Sequence, residues 1–168
     1  SITDGEFRRE SFHVDFITQI DNITSYWDFA QTVKLGEDHT AGLDKKMPFI
    51  PYINGRMERP EGGIEVANYN YTKSLTNLTV KVTIPSPTMT HFRGGREAID
   101  QVAYPLMENF FDDLARIYRE ELVDLYKAGC RYVQFDDTNL AFLCDEKMRA
   151  NARALGENPD ELPATYAT

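Results

Sequence analysis

The chain has 168 residues and 19.3 kDa, the size of one domain, and its 42% hydrophobic and 12% aromatic content excludes general disorder. Eighteen basic against 27 acidic residues give a formal charge of −9, which argues against a nucleic-acid or anionic-membrane surface but leaves room for a small anion held by local arginines. No apolar run reaches the roughly 20 residues of a membrane span and no signal peptide is read, so Cys130 and Cys144 are expected as reduced thiols of a cytoplasmic protein.

Residues 1–4 read as a short strand end. Phe12, Phe16, Ile20 and Ile23 fall at the spacing of one helix face, with Asn22-Ile23-Thr24 as its end. Residues 34–46 read as a polar surface loop. The segment 47–59 predicts strand with a turn at Asn54-Gly55; it is either a hairpin beside the main sheet or a barrel strand starting near Tyr52. Pro60-Glu61-Gly62-Gly63 is a break, followed by a brief extended Ile64–Val66. A two-turn helix is expected over 68–76, with Tyr69 and Leu75 inward.

Leu78–Ile84 has the composition of a strand, stopped by Pro85 and Pro87. A loop to Gly95 and a helical turn over 96–103 come next. Pro105 is expected to open a long helix with the apolar stripe Met107, Phe110, Phe111, Leu114, Ile117, Tyr118, Leu122 and Leu125, closed by Gly129. Tyr132–Phe135 then predicts a buried parallel strand ending in polar groups. Asp145 is positioned to cap a helix over 146–155, terminated by Gly156 and Pro159. The final Leu162–Thr168 has turn character only. The missing initiator Met and the strand-like opening are read as marks of a larger chain, cut or continuing out of view.

Strand–helix–strand order demands parallel pairing. The expected fold is α/β, a partial (β/α)8 barrel. A whole one needs about 250 residues, so about half is expected here, as one unit over 1–168. Half a barrel exposes strand edges and helix flanks, and self-association is expected.

Candidate site groups cluster after strand ends. Asp136 and Asp137 are adjacent, so only one faces a ligand directly; Asp136 is favoured, while both as caps of the next turn is the bland reading. Glu6 follows Gly5, which suggests a tight turn; Arg8 and Arg9 are its alternative, structural partners. Together Glu6 and Asp136 suit a cationic ligand such as an amino acid's ammonium. His39 reads as surface, His13 as a buried hydrogen-bonded ring, and His91 as a group able to reach an oxyanion or carboxylate. No His or Cys pair has metal-site spacing, and there is no phosphate-binding glycine loop or serine elbow.

Three stretches in order, Thr3-Asp4-Gly5-Glu6-Phe7-Arg8-Arg9, Val80–Pro87 and Glu121–Leu140, resemble the catalytic barrel of cobalamin-independent methionine synthase, and more closely its short single-domain relatives. The resemblance implies zinc-assisted methyl transfer from methyltetrahydrofolate to homocysteine or another small thiol. It implies that Glu6 and Asp136 hold the thiol substrate's amine and that Ser86 and Thr88 border the pocket; His91, read from its own position, is the further substrate-binding candidate. Asp137-Thr138 departs from the family's Asp-Glu-Pro. The family's zinc ligands would fall beyond residue 168, so no cofactor is expected on this chain and the chain alone is expected to be inactive. A metal-free binding or structural module, or a barrel lyase of the uroporphyrinogen decarboxylase kind, are the alternatives.

Overall fold

The computed structural model describes residues 1–9, 11–27 and 49–167. Strands β1 (Asp21–Trp27) and β2 (Phe49–Glu58) pair antiparallel, and β3 (Val82–Pro85) and β4 (Val133–Asp136) pair parallel. The register of the second pair sets Val82 against Val133, Thr83 against Gln134, Ile84 against Phe135 and Pro85 against Asp136. On the other side of β3, Ile2 makes a single parallel bridge to Val80. The chain then turns away. Arg9 reaches back, and its Nη1 donates to the Thr83 carbonyl at 2.9 Å, an acceptor that a longer first strand would have used.

The helices are α1 (Val14–Ile17), α2 (Val66–Ser74), α3 (Met107–Lys127), α4 (Asn139–Phe142), α5 (Glu146–Ala154) and α6 (Leu162–Tyr166). β3, α3 and β4 form a strand–helix–parallel strand unit, the repeat of a (β/α)8 barrel. Phe110, Leu114, Ile117, Tyr118 and Leu125 of α3 are buried at spacings of three and four, against Ile84, Phe16 and Met57 among others. Gly129, at φ 101°, ends α3 as its composition predicts. Asp145 caps α5, its Oδ1 accepting from the Met148 amide at 3.0 Å. The fold is α/β and matches part of a barrel: four strands stand among the described residues, and they do not close.

Several local expectations are corrected. The helix face Phe12–Ile23 shrinks to α1, because Ile23 joins β1 opposite Ile53 and Asn22 takes a left-handed φ of 63°. Asn54-Gly55 is no turn but lies inside β2, where the register slips between Asp21 and Ile23 and the strand bulges. Residues 34–46 and His39 lie outside the described residues. Glu65 is the N-cap of α2 rather than extended, and Leu75 is 69% exposed rather than inward. The strand expected from Leu78 starts at Val82; Leu78 is exposed, and Val80 makes only the isolated bridge. Pro105 stands outside α3, whose N-cap Leu106 is extended at ψ 135°.

β4 is not buried: Phe135 is 43% exposed, because among the described residues β4 has a neighbour on one edge only. The end of the chain is no plain turn either. Leu162 and Tyr166 sit on α6, and Leu162 joins a small cluster with Phe92, Leu143 and Ala152.

Two buried acids hold the framework. Glu121 on α3 is fully buried, and its carboxylate accepts from the Ile64 and Glu65 amides at 2.9 and 2.7 Å and pairs with Arg59 at 2.7 Å. That closes the Pro60–Gly63 break onto α3. Asp113 takes the Arg56 guanidinium at 2.9 Å and the Tyr104 hydroxyl at 3.0 Å. Tyr104 in turn accepts from the Met57 amide at 2.7 Å, a backbone donor displaced from the ladder by the β2 bulge. Burial first, and Asp113 beside it, push the Tyr104 hydroxyl up to about 12.

Candidate site at the carboxyl end of the parallel strands

Parallel strands deliver their carboxyl ends to one rim, and the groups that follow Ile2, β3 and β4 therefore share it. Glu6 follows the first segment. The Glu6 amide donates to Asp4 Oδ1 at 3.1 Å, and Glu6 itself is held at φ 55°, a conformation uncommon outside glycine. Arg8 and Arg9 do not neutralise it: both lie 3.8 Å from Asp4, and Arg9 also meets buried Glu65 at 3.6 Å.

Asp136 and Asp137 divide their labour. Asp137 is a cap: its Oδ1 accepts from the Asn139 amide at 3.0 Å and more distantly from Leu140 at 3.4 Å. Asp136 is not used that way. It shares a face of β4 with Gln134, whose Nε2 donates to Asp136 Oδ1 at 2.7 Å, while Phe135 on the opposite face stacks on Tyr118 of α3.

Ser86 and Thr88, in the loop after β3, are buried in one hydrogen-bonded line. Asn139 Nδ2 donates to Thr88 Oγ1 at 2.6 Å, Thr88 and Ser86 hydroxyls meet at 3.0 Å, and Ser86 donates to Asp137 Oδ2 at 3.2 Å. With a carboxylate as final acceptor, each hydroxyl must pass its own proton along, so the line runs from Asn139 to Asp137. The sequence reading missed Asn139, which is fully buried; its place two residues after an acid, as the first residue of a short helix, was the available signal.

His91 is 2% exposed. Its Nδ1 meets the Tyr166 hydroxyl at 2.8 Å, and Nε2 lies 3.4 Å from Glu157 Oε1, a close contact without hydrogen-bond alignment. The ring holds the Glu157 carboxyl below the usual range. Burial, then the Glu157 and Asp137 charges, push the Tyr166 hydroxyl well up, so it stays a donor. The carboxylate that His91 reaches is thus within the chain, and neither Tyr166 nor Glu157 was singled out from sequence. His13 is buried as expected, its Nδ1 2.9 Å from Ser11 Oγ.

Among the described residues no group of three or more His, Cys, Asp or Glu converges to hold a metal ion. Cys130 donates to the Tyr132 carbonyl and exposed Cys144 to that of Leu140, and both are free thiols. Among the described residues the donor set does not fit zinc. No helix among these residues is long and apolar enough to cross a membrane.

An α/β unit with its polar groups gathered at the carboxyl rim has the layout of part of a (β/α)8 barrel. Comparison with known proteins sharpens the class. The chain is 33% identical over 167 residues to YxjH of Bacillus subtilis (strain 168) and 31% identical over 168 residues to YxjG of the same organism, both uncharacterized. Each match covers 99% of this chain but only 41% and 42% of the relative, so the chain spans about two fifths of their length.

A candidate vitamin-B12-independent methionine synthase from Listeria monocytogenes superposes with a TM-score of 0.63 and 30% identity, over 92% of this chain and 42% of that one. A B12-independent methionine synthase from Shewanella sp. W3-18-1, solved with selenomethionine, shares the fold at TM-score 0.57 and 19% identity, over 89% and 39%. No protein-family model matches. The chain has fold-level homology to the barrel domain of cobalamin-independent methionine synthases, over most of its own length and part of theirs.

Proposed function

We propose that this chain supplies the amine-binding rim of a methyltransferase barrel, in a protein that moves a methyl group from methyltetrahydrofolate to the thiol of homocysteine. The observation that carries the reading is Asp136: a strand-end carboxylate left out of the capping network that absorbs Asp137, on a fold homologous to methionine synthase barrels. Asp136 and Glu6 would receive the ammonium of the amino-acid thiol by charge-assisted hydrogen bonds. Ser86, Thr88 and His91 lie in the adjoining wall, where their hydrogen bonds fix the loop after β3. In the reaction a sulfur–methyl bond forms as the methyl–nitrogen bond of the folate breaks. The thiol proton is lost, and the folate nitrogen takes one up. Zinc, when bound, would activate the thiol; its ligands are assigned to parts of the protein outside these residues.

The test compares homocysteine with 4-mercaptobutanoate, the same thiol without its amine, by calorimetry on the full-length protein. Asp136→Asn should weaken homocysteine by about tenfold or more and leave 4-mercaptobutanoate unchanged. Equal loss for both, or for neither, would make Asp136 a structural group. Methionine formation that survives removal of metal by a chelator would instead favour a metal-free descendant of the barrel.

A further inference from the structure

Asp136 does not stand alone on its face of β4. Gln134, two residues earlier, lies beneath it, and Lys81, just before β3, reaches across from the neighbouring strand. Lys81 Nζ donates to Gln134 Oε1 at 2.7 Å, and Gln134 Nε2 donates to Asp136 Oδ1 at 2.7 Å. A lysine ammonium has donors only. It therefore fixes which end of the Gln134 amide points toward it, and by elimination turns the N–H toward the acid. The reversed amide would set two acceptors, Gln134 Oε1 and an Asp136 oxygen, against each other. Asp136 Oδ1 is thereby occupied, while Oδ2 has no hydrogen-bond partner among the described residues.

We infer that Lys81 and Gln134 are positioning residues that aim the free oxygen of Asp136 at the substrate's ammonium, with Lys81 acting only through the Gln134 amide. The inference rests on the amine-binding reading of Asp136 and adds to it the device that sets its direction. Neither residue is a core group, since Gln134 is exposed and Lys81 half-buried, so replacing them removes hydrogen bonds without opening a cavity.

The experiment is a double-mutant cycle read with homocysteine and 4-mercaptobutanoate on the full-length protein. Gln134→Leu should weaken homocysteine about tenfold and spare 4-mercaptobutanoate. Lys81→Met should give a smaller loss with the same selectivity, and Lys81→Arg, which keeps a donor-only group, should restore it. Lys81→Met added to Gln134→Leu should cost nothing further. Unchanged homocysteine affinity in Gln134→Leu, or equal losses for both thiols, overturns the inference. So does a Lys81→Met loss that persists undiminished without Gln134, since Lys81 would then act by charge alone. Asp136→Asn separates the two levels. If it is selective and Gln134→Leu is not, only the positioning role falls. If it is not selective, the amine site itself falls and this inference with it.

Discussion

His13 shows how one buried side chain sets an acid limit. Burial first, and the nearby Arg93 second, hold its imidazole down to about 4, against 6.5 for an ordinary histidine. In the unfolded chain the ring takes up a proton as the pH falls through 6.5; in the folded chain it does so only near 4. The folded state therefore loses stability progressively across that window, and none of this loss exists above it. A shift of this size amounts to a penalty of about 3 kcal/mol at the acid end. Melting temperature followed from pH 7.5 to 4 should fall less steeply in His13→Gln than in the wild type. Parallel curves would show that other groups set the acid limit. Glu6 poses the opposite case. Its left-handed backbone costs on the order of 1 kcal/mol that glycine would avoid. Glu6→Gly should therefore hold or raise the melting temperature while weakening homocysteine and not 4-mercaptobutanoate.

At the level of the elements, the bulge in β2 is tied to a single phenol. Tyr104→Phe leaves the Met57 N–H buried without a partner and strips a hydroxyl from Asp113, so it should cost about 1–3 kcal/mol in urea unfolding with an unchanged slope. A cost near zero would mean that water reaches the bulge. The same bulge explains what sequence could and could not tell. Asn54-Gly55 carries the local signature of a hairpin, but the partner strand, 21–27, decides the outcome, and no local signal encodes a partner. α3, Gly129 and the Asp145 cap were legible because helix period, left-handed glycine and capping are local rules. β3 and β4 were legible as strands but not in burial, since exposure of β4 depends on what lies beside it. At the site, Asp136 was set apart from Asp137 by facing and by the family resemblance, but not by any partner the sequence names. In the structure Gln134 and Asn139, each two residues away, take one acid each. His91 was legible as interesting; its partners Glu157 and Tyr166 stand 66 and 75 residues later and left no trace in the local pattern.

At the scale of the whole chain, the parallel ladder of the described residues is open. β4 offers an unpaired edge among the described residues, with Tyr132 45% and Phe135 43% exposed, and Phe7, on the rim, is 95% exposed. Unpaired edges beside apolar side chains favour pairing with another chain. The isolated 168-residue chain is expected to sediment as a dimer or larger at micromolar concentration, and Tyr132→Glu to shift it toward monomer. A compact monomer at that concentration would count against an open ladder. The contact between His91 and Tyr166 bears, finally, on timing. A ribosome adding about 5–20 residues each second needs roughly 4–15 s to travel the 75 residues between them. Through that interval the nascent imidazole has no phenol to meet. The loop that carries Ser86 and Thr88 should therefore set only after Tyr166 has emerged, and messages stalled before the Tyr166 codon should yield chains in which that loop is open to protease.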